Sequence, residues 1–234
     1  MTTFLLTLAA LLTSTLSAIV GMAGGIIFLG ICLFFLPVEV AIPVHAATQL
    51  VSNSTRLILF FKHIQWRIWL YFFLPAVAGI LFGTQIFQAV DKELLRKGIA
   101  VFILLAVFLP RARGGKPWRK EVFVLAGALA GTMGMLVGAV GPVIAPFFLH
   151  TQVLKEKLIA TKAICQASIH LLKIVAFGII GFSFQTHASL IGILSLAVMA
   201  GTPVGKAILK RVSEEKFVLL YKTALLLVAL KLIF

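Results

Sequence analysis

Acidic residues are scarce: seven Asp and Glu stand against 21 Lys and Arg in 234 residues. Charge of either sign makes up 12% of the chain, about half the roughly 25% usual in a soluble domain. Mean hydropathy is +1.13 and 61% of residues are hydrophobic, which excludes an ordinary water-soluble fold. The alternating pattern of a membrane barrel is missing too. Cysteine occurs twice, as Cys32 and Cys165, both in apolar stretches. That argues against a disulfide framework or a structural zinc site. No phosphate-binding loop is present, so nucleotide-driven transport by this chain alone is not expected. The five histidines, His45, His63, His150, His170 and His187, lack ligand spacing and carboxylate company. No metal or cofactor is expected, and no enzyme activity.

What remains is a set of long apolar runs. Eight can be read, at roughly 3–36, 38–61, 68–90, 94–110, 121–150, 157–181, 187–209 and 216–233. The expected fold is an all-α integral membrane protein. Residues 1–20 are apolar with no basic residue before the run, so a cleavable leader is not expected. The basic residues are scattered among the short loops, which speaks against nucleic acid as a partner. The longest polar connection, 111–120, divides the chain into repeats at 1–110 and 121–234 and reads as a basic cytoplasmic linker.

The halves resemble each other. At a shift of 117, Thr15 meets Thr132, Gly21 meets Gly138, Gly24 meets Gly141, Gln49 meets Gln166 and Arg56 meets Lys173. At a shift of 122, Gly79 and Gly83 meet Gly201 and Gly205. These last four read as close helix packing.

Segments one and five are too long for one crossing and too short for two. About 33 residues of straight helix would run about 50 Å against a hydrocarbon core of about 30 Å. Each carries a glycine-rich break, Val20-Gly21-Met22-Ala23-Gly24-Gly25 and Val137-Gly138-Ala139-Val140-Gly141. Such a break in lipid is tolerated only where protein or a cavity covers the freed backbone. Matching breaks in two halves point to a transporter's binding site. The expectation is two half-helices that enter, turn near the midplane and leave on the same side. If all eight segments crossed, the loop cations would split 8 against 9. With segments one and five re-entrant they split 13 against 4, counted from positions such as Lys62, Arg67, Arg119, Lys120 and Lys157 on one side and Lys92, Arg96, Lys97 and Lys231 on the other. Three crossings per half invert the second repeat; the expected location is a bacterial inner membrane, crossed several times, with both termini outside in the periplasm.

Segment two carries His45, Gln49, Ser52, Asn53 and Arg56 on one helical face. Segment six carries Lys162, Gln166, His170 and Lys173 at matching positions, with Ile169 in place of Ser52. Polar stripes on membrane helices are costly unless they face a cavity or each other. Half-helices starting near Gly24, Gly25 and Gly141, with Gly21 and Gly138 at the turns, would aim unpaired N–H groups at the same place. The lining then offers donors and cations and no carboxylate, which selects a small anion.

At these residues the chain resembles the TauE/SafE sulfite exporter family, also called the toluene-sulfonate uptake permease family. The resemblance rests on the small-residue break, the apolar run to Pro37 and its return 117 residues later, and it covers nearly the whole chain. It implies a secondary transporter, in the exporting direction, of sulfite, sulfoacetate or other organosulfonates. Ala23 stands where the family often has a third glycine, and Pro142 follows the single Gly141. Only Cys165 lies near the stripe, and its repeat mate is Thr48, which makes thiosulfate import less expected. The rival readings are an anion channel and a membrane-embedded enzyme or metal-handling protein. The expected partners are a small anionic substrate and the lipid bilayer, with a homodimer left open.

Overall fold

A computed structural model describes residues 1–20, 24–108, 119–149, 155–208, 222–223 and 226–232. The described residues form nine α-helices: α1 (Thr2–Val20), α2 (Gly24–Phe35), α3 (Val38–Phe60), α4 (Trp66–Ala89), α5 (Lys92–Phe108), α6 (Val122–Val137), α7 (Gly141–Leu149), α8 (Lys155–Ile179) and α9 (Ala188–Ile208). A 3₁₀ turn at Phe61–His63 links α3 to α4, and residues 226–232 are helical. No strand occurs among the described residues. Gly21, most of the basic linker, and most of segment eight before residue 226 lie outside the described residues.

Segment five is two helices, not one. α6 ends at Gly138, whose φ of 77° is readily adopted only by glycine, and α7 starts afresh at Gly141. Pro142 sits in the first turn of α7, where its missing N–H removes a donor that would have had no helical partner. Segment one likewise divides into α1 and α2. A Cβ built on Gly24 would lie 1.8 Å from the Thr13 carbonyl oxygen. Eleven residues of continuous helix would separate those positions by about 16 Å, so the chain folds back between them. α2 and α7, at 12 and 9 residues, reach only about 18 and 13 Å, well short of a crossing.

Among the described residues, three helices are long and apolar enough to cross a membrane: Trp66–Ala89, Lys157–Ile179 and Ala188–Gly205. Their outward faces carry Leu70, Leu74, Leu81 and Phe82 on α4, Leu171 and Val175 on α8, and Leu196 and Met199 on α9. Exposed apolar side chains in that number suit lipid, not water.

Small residues decide which helices touch. α4 lies against α6, with Gly127 beside Phe72, Gly131 beside Ala76 and Ile80, and Gly83 beside Thr132 and Met135. These contacts advance together along both chains, so the two helices run parallel. α1 packs on α9 through Gly201, beside Leu11, Ser14 and Thr15. Where side chains are alike in polarity to the lipid, close backbone approach over glycine supplies the association energy. Gly79, Gly83 and Gly201 therefore play the packing role expected of them.

α3 and α8 run antiparallel through the centre. The His45 ring meets His170, and further along the Gln65 amide donates to Thr161 Oγ1 at 2.9 Å. Ile64 packs there with Ala160 and Ile164. Lys62, His63 and Arg67 thus share one end of the bundle with Lys157. The parallel pairing of α4 and α6 brings Arg119 and Lys120 to that same end. Lys92, Arg96 and Lys97, at the start of α5, lie at the other.

Candidate functional site

The site grows from the crossing of α3 and α8. Residues at steps of three and four on a helix share a face, and both polar stripes turn inward. His45, Gln49, Ser52, Asn53 and Arg56 are buried on α3, and Lys162, Gln166, His170 and Lys173 on α8. The Gly-rich starts of α2 and α7 close the space between them. The resulting cavity is lined by Ser17, Gly25, Ile26, His45, Gln49, Asn53, Arg56, Ala139, Val140, Gly141, Gln166 and His170.

Among the described residues, none that lines the cavity is acidic. The space open to the centres of water-sized spheres is about 20 Å³, a little more than one water needs on that measure. It suits the head of a small oxyanion, and a bulky tail would need the walls to part.

Backbone and side chains fix one another around it. Ser17 Oγ accepts from the Gly24 amide at 3.0 Å, which satisfies one free N–H of α2. His45 Nε2 lies 2.8 Å from the Gly25 carbonyl oxygen. A carbonyl only accepts, so this nitrogen carries the hydrogen. Asn53 Nδ2 donates to the Gln49 carbonyl at 2.8 Å. Arg56 donates from a terminal guanidinium nitrogen to Ser52 Oγ at 3.0 Å. Lys173, 0% exposed, donates from Nζ to the Gly138 carbonyl at 2.9 Å. That carbonyl ends α6, where the helix dipole is negative.

Polar atoms are left over. His45 Nδ1, Asn53 Oδ1, Arg56 Nε and His170 Nδ1 are buried with no protein partner. An unpaired buried polar atom costs about 1–3 kcal/mol. All four belong to residues that line the cavity. The charges around it share one sign: Lys173 lies in electrostatic range of both His45 and His170, and Arg56 of Lys162 and His170. A basic, acid-free cavity with amide donors from Gln49 and Gln166 favours an anion and disfavours a cation. No group of three or more His, Cys, Asp or Glu that could hold a metal occurs among the described residues.

Of the residues singled out from sequence, Gly25, His45, Gln49, Asn53, Arg56, Gly141, Gln166 and His170 line the cavity. Gly24, Ser52, Gly138 and Lys173 stand one layer back as hydrogen-bonding or close-packing supports. Lys162 is buried on the same helix outside the lining. Gly21 lies outside the described residues. Sequence reasoning missed Ser17, Ile26, Ala139 and Val140. Ser17 had one available signal, as the last hydroxyl of the Thr13-Ser14-Thr15-Leu16-Ser17 run, one helical turn before the first glycine break.

Comparison with known proteins adds one finding. Searches of curated proteins and of solved structures returned no match. The profile of the family described as Sulfite exporter TauE/SafE matches residues 6–232. It spans both halves, both glycine breaks and every residue of the cavity wall, so this chain belongs to the TauE/SafE sulfite exporter family of membrane transporters.

Proposed function

We propose that the chain is a secondary transporter that exports small sulfur-containing anions, such as sulfite, sulfoacetate or other organosulfonates. It works by alternating access around the cavity between α3 and α8. The observation that carries this reading is the carboxylate-free wall, in which Gln49 and Gln166 meet the starts of two half-helices. Helix N-termini attract anions through free N–H groups and the dipole, and two of them facing one space suit an oxyanion.

Alternating access needs two interchangeable gates. The hydrogen bonds support an inverted pair of repeats. Thr132 Oγ1 donates to the Gly79 and Ala128 carbonyls at 3.2 and 3.1 Å. Thr15 Oγ1 donates to the Gly201 and Leu11 carbonyls at 3.2 and 2.8 Å. These positions correspond, since 15 + 117 = 132, 11 + 117 = 128 and 79 + 122 = 201. Each half's first helix therefore packs on the other half's fourth with the same chemistry. The collection of Lys62, Arg67, Arg119, Lys120 and Lys157 at one end makes that end cytoplasmic. On this reading α1–α2 and α6–α7 are re-entrant hairpins entering from opposite faces, and both termini lie outside.

The test is efflux from proteoliposomes loaded with sulfite. Wild type releases it at carrier rates. Gln49→Leu and Gln166→Leu fold normally but lose transport at least tenfold, as amide donors give way to apolar groups of similar size. Wild-type efflux from both variants would remove the amides from the site. Flux at near-diffusive rates in bilayer recordings would replace alternating access with a channel.

A further inference from the structure

Two of the unpartnered atoms at the cavity are not donors. His45 donates from Nε2 to Gly25, so in the neutral ring Nδ1 bears a lone pair. Asn53 donates from its amide nitrogen to the Gln49 carbonyl, which leaves Oδ1 as an acceptor. Both acceptors are buried without a partner, and both residues line the cavity. An anion oxygen is itself an acceptor. Placed against either atom it would meet a lone pair, and the repulsion would be felt at low dielectric. A hydrogen must stand between them.

We propose that each anion enters this site with one proton, held between the anion and His45 Nδ1. The inference rests on the anion-transport reading above and names the coupling that reading leaves open. The proton arrives from solvent on an anion oxygen or on the ring, and either way one proton is bound per anion. In both cases His45 Nδ1 gains the partner it lacks. His170, whose ring meets that of His45 edge to face at 5.8 Å and whose Nδ1 is also unpartnered, widens the polar wall around the shared hydrogen.

The surrounding charges make the two ligands interdependent. On α8, Lys173 lies in range of both rings, with Lys162 further along. α3 itself contributes Arg56 toward His170 and holds Glu39 exposed. α2 has no charged residue, and none of the described side chains of α9 is charged. α5 carries Lys92, Glu93, Arg96 and Lys97 near its start, with Glu93 exposed; the 3₁₀ turn carries exposed Lys62 and His63. Among the described residues, every charge in electrostatic range of the histidine pair is thus positive. The anion brings the negative charge that favours an extra proton there, and the proton provides the donor that the anion requires.

The experiment uses the purified full chain and sodium sulfite at alkaline pH, where free sulfite has lost its proton. Titration calorimetry in two buffers without sulfonate groups, of different ionisation heat, counts protons taken up on binding. Wild type is expected to take up about one proton per anion, with affinity falling about tenfold per pH unit. His45→Asn places an amide that can donate without titrating where Nδ1 stood. It is expected to bind sulfite with no proton uptake and an affinity independent of pH. Sulfite binding to wild type without proton uptake would overturn the inference and leave the transport reading intact. Undiminished uptake in His45→Asn would also overturn it, since the proton would then sit elsewhere. Absence of sulfite binding in wild type would overturn both. The wild-type measurement decides the matter by itself if the variant fails to fold.

Discussion

Gly24 and Gly98 are both helical glycines, and the same change to alanine is expected to move them in opposite directions. At Gly24 a new Cβ would sit 1.8 Å from the Thr13 carbonyl oxygen and 2.6 Å from Ser17 Oγ. Contacts below 3.0 Å are essentially never seen for a real Cβ, so α1 and α2 must part by at least 3.0 − 1.8 = 1.2 Å. Overpacking of that kind costs about 1–3 kcal/mol. The same movement stretches the 3.0 Å bond from the Gly24 amide to Ser17, worth about 1 kcal/mol more. Gly24→Ala should therefore lose about 2–4 kcal/mol. Gly98 lies inside α5, is exposed, and has nothing within 4 Å of its would-be Cβ. There alanine gains about 1 kcal/mol of helix propensity. Thermal unfolding in one detergent should place the two variants on opposite sides of wild type. Sulfite binding should fall in Gly24→Ala even below its midpoint, because the displaced helix start is part of the cavity wall. A Gly24→Ala protein as stable as Gly98→Ala would refute the folded-back packing of α2 on α1.

Three further outcomes follow from the same geometry. Gly138→Ala forces a positive φ on an L-residue, at about 1–2 kcal/mol, and pushes a Cβ to 2.7 Å from Leu29 Cδ2; a lowered melting midpoint with weakened transport is expected. Arg56→Ala and Lys173→Ala should slow anion capture from opposite faces, measured by uptake and efflux in vesicles of known orientation, and equal effects from both sides would count against the inverted placement of the two repeats. Lys173→Ala should also cost about 1.5–3 kcal/mol of stability, because it frees the charge-assisted bond to Gly138.

Much of this site is legible before any coordinates are considered, for reasons specific to its residues. In an apolar helix a polar residue is expensive, so the His45–Arg56 and Lys162–Lys173 stripes stand out against their background. Glycine breaks are equally visible, because a membrane helix has few other causes for them. Lys173 is less legible. Its charge points to an anion ligand, yet its nearest partner is the end of α6, 35 residues earlier in sequence. No local pattern marks a carbonyl as an acceptor, since every residue has one. Ala139 and Val140 escaped notice for a related reason: they line the cavity by their position in the turn, not by their side-chain chemistry.

The sequence by itself determined the membrane class, the helical segments, the two breaks and the matching stripes, because each depends on composition, on periods shorter than one segment or on a repeat at one fixed shift. Only the tertiary structure decided that α1 seats on α9 and α4 on α6, and that α3 lies antiparallel to α8. Only it showed which stripe atoms end without partners. Those outcomes depend on contacts between residues separated by up to nearly 190 positions, such as Ser14 with Val198 at 2.7 Å and with Thr202 at 3.3 Å. Their energies come from shape fit between small residues, and such fit leaves no periodic trace along the chain.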